Sequence, residues 1–125
     1  MALKDVRILI VDDELFYRNS LREMLGRIGF TVVGEAADGR EAVRMFLAHR
    51  PHIVIMDVYM PVKNGIDATR EMIALDKNAN VLTSSASDCQ SDTDAVIKVG
   101  AKAILKKPFE PREVFDTIKT VLCGK

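Results

Sequence analysis

Val6-Arg7-Ile8-Leu9-Ile10-Val11-Asp12-Asp13 decides how this chain folds, because a run of mostly branched apolar residues ends abruptly in two carboxylates. A second run, Ile53-Val54-Ile55-Met56, ends the same way in Asp57. Short continuous apolar runs, as opposed to alternating ones, mark strands buried on both faces. Two such strands that deliver acid at the same kind of edge are what a metal-assisted acidic site requires.

Outward from these strands the chain alternates. The first is followed by a helix over about Glu14 to Arg27, with Leu21, Leu25 and Ile28 on one face and Gly29 closing it. Phe30 to Glu35 reads as the second strand. Asp38 then caps a helix with Glu41 in the capping-box position and Ala42, Val43, Phe46 and Leu47 as its apolar face. Pro51 introduces the third strand, and Met60-Pro61-Val62-Lys63-Asn64-Gly65 is a loop in which Asn-Gly turns readily, before a helix over about Ile66 to Leu75. Asn80 to Ser84 is a fourth strand, and a weaker helix over about Cys89 to Val99 carries Val96, Ile97 and Val99 in its later half. After Gly100, Lys102 to Leu105 is the last strand. Pro111 opens a final helix reaching Leu122, with Glu110 as candidate cap and Val114, Ile118 and Val121 lining one side. Five strand-then-helix repeats call for an α/β fold, a doubly wound parallel sheet covered by helices on both faces.

The 125 residues and 48% hydrophobic content suit a single domain, residues 1–125, with a real core. Lys plus Arg and Asp plus Glu both number 18, so no bulk attraction to nucleic acid or an anionic membrane is expected. Cys89 and Cys123 make no disulfide scaffold, which suggests free thiols in a reducing setting. The chain reaches its first strand too quickly for a signal peptide, and no apolar stretch approaches the roughly 20 residues of a membrane span. A soluble, cytoplasmic protein is expected.

In an open parallel sheet, ligands sit beyond the carboxyl ends of the strands. That rule places Asp12, Asp13, Asp57, Ser84 or Ser85, and Lys106 or Lys107 around one crevice. Two like charges about 4 Å apart repel by about 4 kcal/mol at an effective dielectric near 20, and a hard divalent cation relieves this. Oxygen donors without histidine or cysteine favour magnesium or manganese over zinc. The bland account, in which Asp12 and Asp13 only cap the first helix, is weakened by the second acidic strand end and the strand-end lysine. Asp57 stands alone and is the candidate nucleophile toward a phosphoryl group, with Lys107 and Ser85 as partners for its oxygens. His49 and His52 fall at the opposite edge, where they are expected to be solvated turn residues. Neither a glycine-rich phosphate loop nor a serine-histidine-acid constellation is present.

Ile8-Leu9-Ile10-Val11-Asp12-Asp13-Glu14, Ile55-Met56-Asp57-Val58-Tyr59-Met60-Pro61 with Asn64-Gly65 after it, and Gly100-Ala101 leading to Lys106-Lys107-Pro108-Phe109 resemble, in order and spacing, the receiver domain of bacterial two-component response regulators. The resemblance spans essentially the whole chain. It implies a flavodoxin-like (βα)5 sheet with strand order 2-1-3-4-5. It also implies Asp57 as phosphoacceptor, and Mg²⁺ held by Asp12, Asp13, Asp57 and the carbonyl of Tyr59, with Mn²⁺ as a substitute. Ser85 takes the Ser/Thr switch position and is followed by the small Ala86. Lys107 is the site lysine because it precedes Pro108, and the family often holds this bond in cis. The aromatic residue by which the family transmits the signal is replaced here by Ile104. Tyr59, two residues past the acceptor, is expected either to shield the phosphoryl group or simply to face solvent.

The resemblance further implies primarily a signalling protein, one that catalyses its own aspartyl phosphorylation and dephosphorylation. A sensor histidine kinase or acetyl phosphate serves as donor, a phosphatase as an aid to resetting. The chain ends just after the fifth helix, so output is expected through a partner protein, with the flagellar motor switch suggested by Gly34-Glu35-Ala36-Ala37-Asp38-Gly39-Arg40-Glu41-Ala42-Val43 and Pro108-Phe109-Glu110-Pro111. Direct nucleic-acid contact and membrane insertion are not expected. Two alternatives stand beside this account: a receiver taken from a longer DNA-binding regulator, and a scaffold with the fold but no phosphorylation cycle.

Overall fold

Arg7–Val11 (β1) lies second in a five-stranded parallel sheet, between Thr31–Ala36 (β2) at one edge and the central Ile53–Asp57 (β3), with Val81–Ser85 (β4) and Ala103–Lys106 (β5) beyond β3. The computed structural model describes residues 2–60, 63–86 and 90–124. The strand order β2-β1-β3-β4-β5 is the flavodoxin-like order expected. Helices Leu15–Ile28 (α1), Gly39–His49 (α2), Gly65–Leu75 (α3), Gln90–Lys98 (α4) and Pro111–Leu122 (α5) follow the strands in turn, after a single 3-10 turn at Leu3–Asp5.

The period-2 alternation of a strand sends successive side chains to opposite faces. Ile8 and Ile10 therefore join Ile53, Ile55, Leu82 and Leu105 under α1 and α5, where Leu21, Leu25, Val114 and Ile118 are buried. Leu9 and Val11 join Val54, Met56 and Val81 on the other face, under Ala42 and Phe46 of α2 and Ala68 and Met72 of α3. Val96 of α4 packs with Val58 and Ala101 in a smaller cluster that Ile66 and Ile104 flank. Burying both faces is what makes the strands read as unbroken apolar runs.

Several local expectations need correction. Leu47 and Ile97 are 43% and 50% exposed, so the buried stripes of α2 and α4 are narrower than periodicity suggested. Glu110 occupies the N-cap of α5 but its side chain makes no capping hydrogen bond, while Pro111 does open the helix. Asn64-Gly65 forms no turn: Asn64 Oδ1 caps α3 by accepting from the Asp67 N–H at 2.9 Å, and Gly65 is the first helical residue. Asp38 does cap α2, and Glu41 Oε1 accepts from the Ala37 N–H, one residue upstream of the capping-box position. His52 is half-buried, and its Nδ1 accepts from the Arg7 N–H at 3.0 Å, pinning the starts of β1 and β3 together. The Pro61-Val62 part of the third loop and Cys89 lie outside the described residues.

Candidate functional site

The backbone ladder runs one residue past the strands at the carboxyl edge. The Asp12 N–H donates to the Ala36 carbonyl at 3.0 Å, the Val58 N–H to that of Ser84 at 3.1 Å, and the Lys107 N–H to that of Ser85 at 3.2 Å. The main chain at Asp12, Val58 and Lys107 is thereby held to the neighbouring strands.

Asp12 and Asp57 are buried and Asp13 is exposed, with one carboxylate oxygen from each lying within 4.8 Å of the others. Asp12 does not cap α1: its Oδ1 accepts from the Glu14 N–H at 2.9 Å in a local turn, and Glu14 is the N-cap residue. Arg18 donates to the Asp12 carbonyl at 2.7 Å while its guanidinium pairs with Glu35, 3.4 Å away, and Arg22 also holds Glu35. The turn bearing the two acids is therefore tied to both α1 and β2.

Lys107 reaches into the same space. Its Nζ is 2.7 Å from Asp12 Oδ2 and 3.4 Å from Asp57 Oδ1, and its side chain is almost wholly buried. Lys107-Pro108 is a cis peptide bond, as the resemblance implied. Burial pushes the Asp57 carboxyl up to about 7, the nearby Asp12 charge adds to this, and the Lys107 charge partly offsets it. Burial pulls the Lys107 ammonium down, but close contact with Asp12 and the charges of Asp57 and Asp12 outweigh that and hold it above its usual range.

The donor set fits a hard divalent cation. All three side chains offer carboxylate oxygen, and Asp12 Oδ2, though buried, has no directed hydrogen bond among the described residues, only the ammonium's charge contact.

Ser85 is buried at the end of β4, one residue beyond Ser84, which is paired in register with Asp57. Tyr59 is 56% exposed, and its hydroxyl donates to Asp92 in the first turn of α4, so it bridges the β3–α3 connection and α4 and does not simply face solvent. Gly65 folds that connection back, donating its N–H to the Val58 carbonyl at 2.8 Å, and a Cβ there would sit 2.0 Å from the Asp57 carbonyl oxygen. Lys106 pairs in register with Ser85 and is exposed, so of the two lysines Lys107 is the one that enters the acidic centre.

Residues 8–119 match the family model for the response regulator receiver domain. The chain belongs to the response regulator receiver family. Among similar receivers, the chemotaxis protein CheY of Thermotoga maritima is 43% identical over 92% of this chain and 96% of its own. The transcriptional regulatory protein PdtaR of Mycobacterium tuberculosis is 41% identical over 90% of this chain but only 55% of its own. In structure, a chain of the CheX-CheY-BeF3-Mg+2 complex from Borrelia burgdorferi superposes with a TM-score of 0.89 at 32% identity, over 93% of this chain and 88% of that one. This receiver is therefore a two-component signal-transduction module. No helix among its described residues is long and apolar enough to cross a membrane.

Sequence reading missed two parts of the receiver's site. Arg18 and Tyr17 lie in the first turns of α1, where neither breaks the helical pattern, and only the fold brings them to Asp12 and Lys107.

Proposed function

We propose that the chain accepts a phosphoryl group on Asp57, from a phosphohistidine of a sensor histidine kinase or from a small donor such as acetyl phosphate. The observation that carries this is the single Lys107 ammonium lying against both Asp12 and Asp57 in a buried acidic centre. A carboxylate oxygen of Asp57 attacks phosphorus, the bond from phosphorus to the donor nitrogen or oxygen breaks, and its electron pair leaves with imidazole or acetate. Lys107 pairs with one phosphoryl oxygen and the Ser85 hydroxyl donates to another. Water later attacks phosphorus, releasing inorganic phosphate and restoring the carboxylate, with or without a phosphatase.

Asp12, Asp13, Asp57 and the Tyr59 carbonyl would hold Mg²⁺, or Mn²⁺ in its place. When bound, the cation supplies charge that neutralises the phosphoryl oxygens and favours ionised Asp57. Tyr59, through its bridge to Asp92, screens the acyl phosphate from water.

The phosphorylated state then alters affinity for a partner protein at the surface of α4, β5 and α5, with no direct role for nucleic acid. Likeness to chemotaxis CheY over nearly the full length of both chains supports a chemotactic role in the cytoplasm, with the flagellar motor switch as effector. A second role, as the receiver part of a transcriptional regulator, draws support from PdtaR, of which the match covers 55%. A scaffold without phosphorylation is disfavoured, since it has no need of three acids and a lysine at one point.

Intact mass after incubation with acetyl phosphate and Mg²⁺ tests the proposal. One added phosphoryl group, lost in Asp57→Asn, is expected; an unchanged wild-type mass would sink it.

A further inference from the structure

Lys107 has a third neighbour. Its Nζ lies 4.1 Å from the centroid of the Tyr17 ring, on the ring face. Tyr17 is the third residue of α1, in the helix whose start is tied to Asp12 through the Glu14 N–H and the Arg18 guanidinium. Its ring is itself held edge-on by Phe109, with centroids 6.0 Å apart and planes at 88°, and by Phe16, at 5.2 Å and 77°. The ammonium is thus bounded by two carboxylates and one aromatic face, with almost no side-chain surface left to water.

An aromatic face attracts a cation through its quadrupole, and the attraction grows when the cation is desolvated. Unlike a carboxylate, it carries no formal charge and offers no single oxygen that the ammonium must leave. An ammonium resting on a ring can exchange one oxygen partner for another while keeping its place. Lys107 needs this: it pairs with Asp12 in the resting protein and, in the reaction proposed above, with a phosphoryl oxygen on Asp57.

We propose that Tyr17 is a positioning residue for phosphoryl transfer, its ring face holding the Lys107 ammonium at the acidic centre while the ammonium passes from Asp12 to the phosphoryl group. This rests on Asp57 being the phosphoacceptor. In this role Tyr17 acts only through Lys107.

The test replaces Tyr17 by Phe and by mono-, di- and trifluorophenylalanine, which weaken the ring quadrupole stepwise at nearly constant shape, and by Leu. The first readout is the chemical shift of the Lys107 ε-methylene protons in the protein without Mg²⁺. The second is the rate of phosphorylation by acetyl phosphate with Mg²⁺. Ring-current shielding moves the ε protons upfield in wild type and Tyr17→Phe, and Tyr17→Leu removes the displacement. With Tyr17→Phe as reference, the rate falls with each added fluorine, reaching about fivefold for the full series. A rate indifferent to fluorination, or ε protons unshifted in wild type, overturns the positioning role even if Tyr17→Leu is slow. A wild-type chain that gains no phosphoryl group fails the phosphoacceptor proposal instead, and an ε-proton shift seen in that chain would still establish the ring–ammonium contact.

Discussion

At the residue scale, the raised carboxyl of Asp57 ties the site to stability. Its proton is held up to about pH 7 in the folded state against 3.8 for an ordinary aspartate. A folded carboxyl raised in this way contributes stability that is fully present below the ordinary value and lost as pH rises through about 7, because ionising it in the fold is harder than in the open chain. Without divalent cations, wild type should therefore lose stability between pH 4 and pH 7 relative to Asp57→Asn. Allowing for screening by the open side of the site, the loss is on the order of 2 kcal/mol, readable as the difference between urea unfolding curves at the two pH values. Parallel curves for the two proteins would show that Asp57 ionises freely. Asp12, Asp13 and Asp57 were legible in the sequence because each ends an apolar run, and a strand end is a place that pattern alone can find. The ammonium's pairing with Asp12 as well as Asp57 was not legible, since it depends on rotamers chosen across more than ninety residues of chain.

At the scale of the element, the β3–α3 connection has a glycine for steric reasons, not dihedral ones. The Gly65 backbone passes so close to Asp57 that a Cβ would lie 2.0 Å from its carbonyl oxygen and 2.8 Å from Val58 Cα, both backbone atoms with little room to yield. Gly65→Ala should cost roughly 1–3 kcal/mol of unfolding free energy, as overpacked substitutions do, and should also slow phosphorylation by shifting the Asp57 main chain. A variant as stable and as reactive as wild type would show the loop to be pliable. Reading Asn64-Gly65 as a turn failed because the same dipeptide serves as cap and first helical residue, and only the close approach to Asp57 decides between them. Every strand limit lies within a residue of the one expected, because apolar runs mark buried segments. Ladder hydrogen bonds, which set the formal ends, are made with other strands and leave no local trace.

At the scale of the molecule, the parallel order β2-β1-β3-β4-β5 brings the ends of β1, β3, β4 and β5 to one edge, so four distant stretches of sequence share one small volume. Alternation of strands and helices predicted the layers; the strand order came from resemblance, since hydrophobic pattern does not say which strands are neighbours. Ile104 lies half-buried beside the Val58, Val96 and Ala101 cluster, a branched aliphatic side chain at the position where the family carries an aromatic ring. Among the described residues, the end of β3 meets α4 through the packing of Val58 on Val96 and through the Tyr59–Asp92 bridge. Breaking that bridge with Tyr59→Ala is expected to hasten loss of the phosphoryl group in a dephosphorylation time course, and unchanged kinetics would remove Tyr59 from the account.

The central claim is that Asp12 and Asp13, just after β1, and Asp57, at the end of β3, form one cation site that includes the nucleophile. A Mg²⁺ titration followed on the backbone amides of Asp12, Asp13 and Asp57 tests it most directly. The account predicts a single saturable site that moves all three amides together and is weakened in both Asp13→Asn and Asp57→Asn. Three amides that respond independently, or a site indifferent to either substitution, would contradict it.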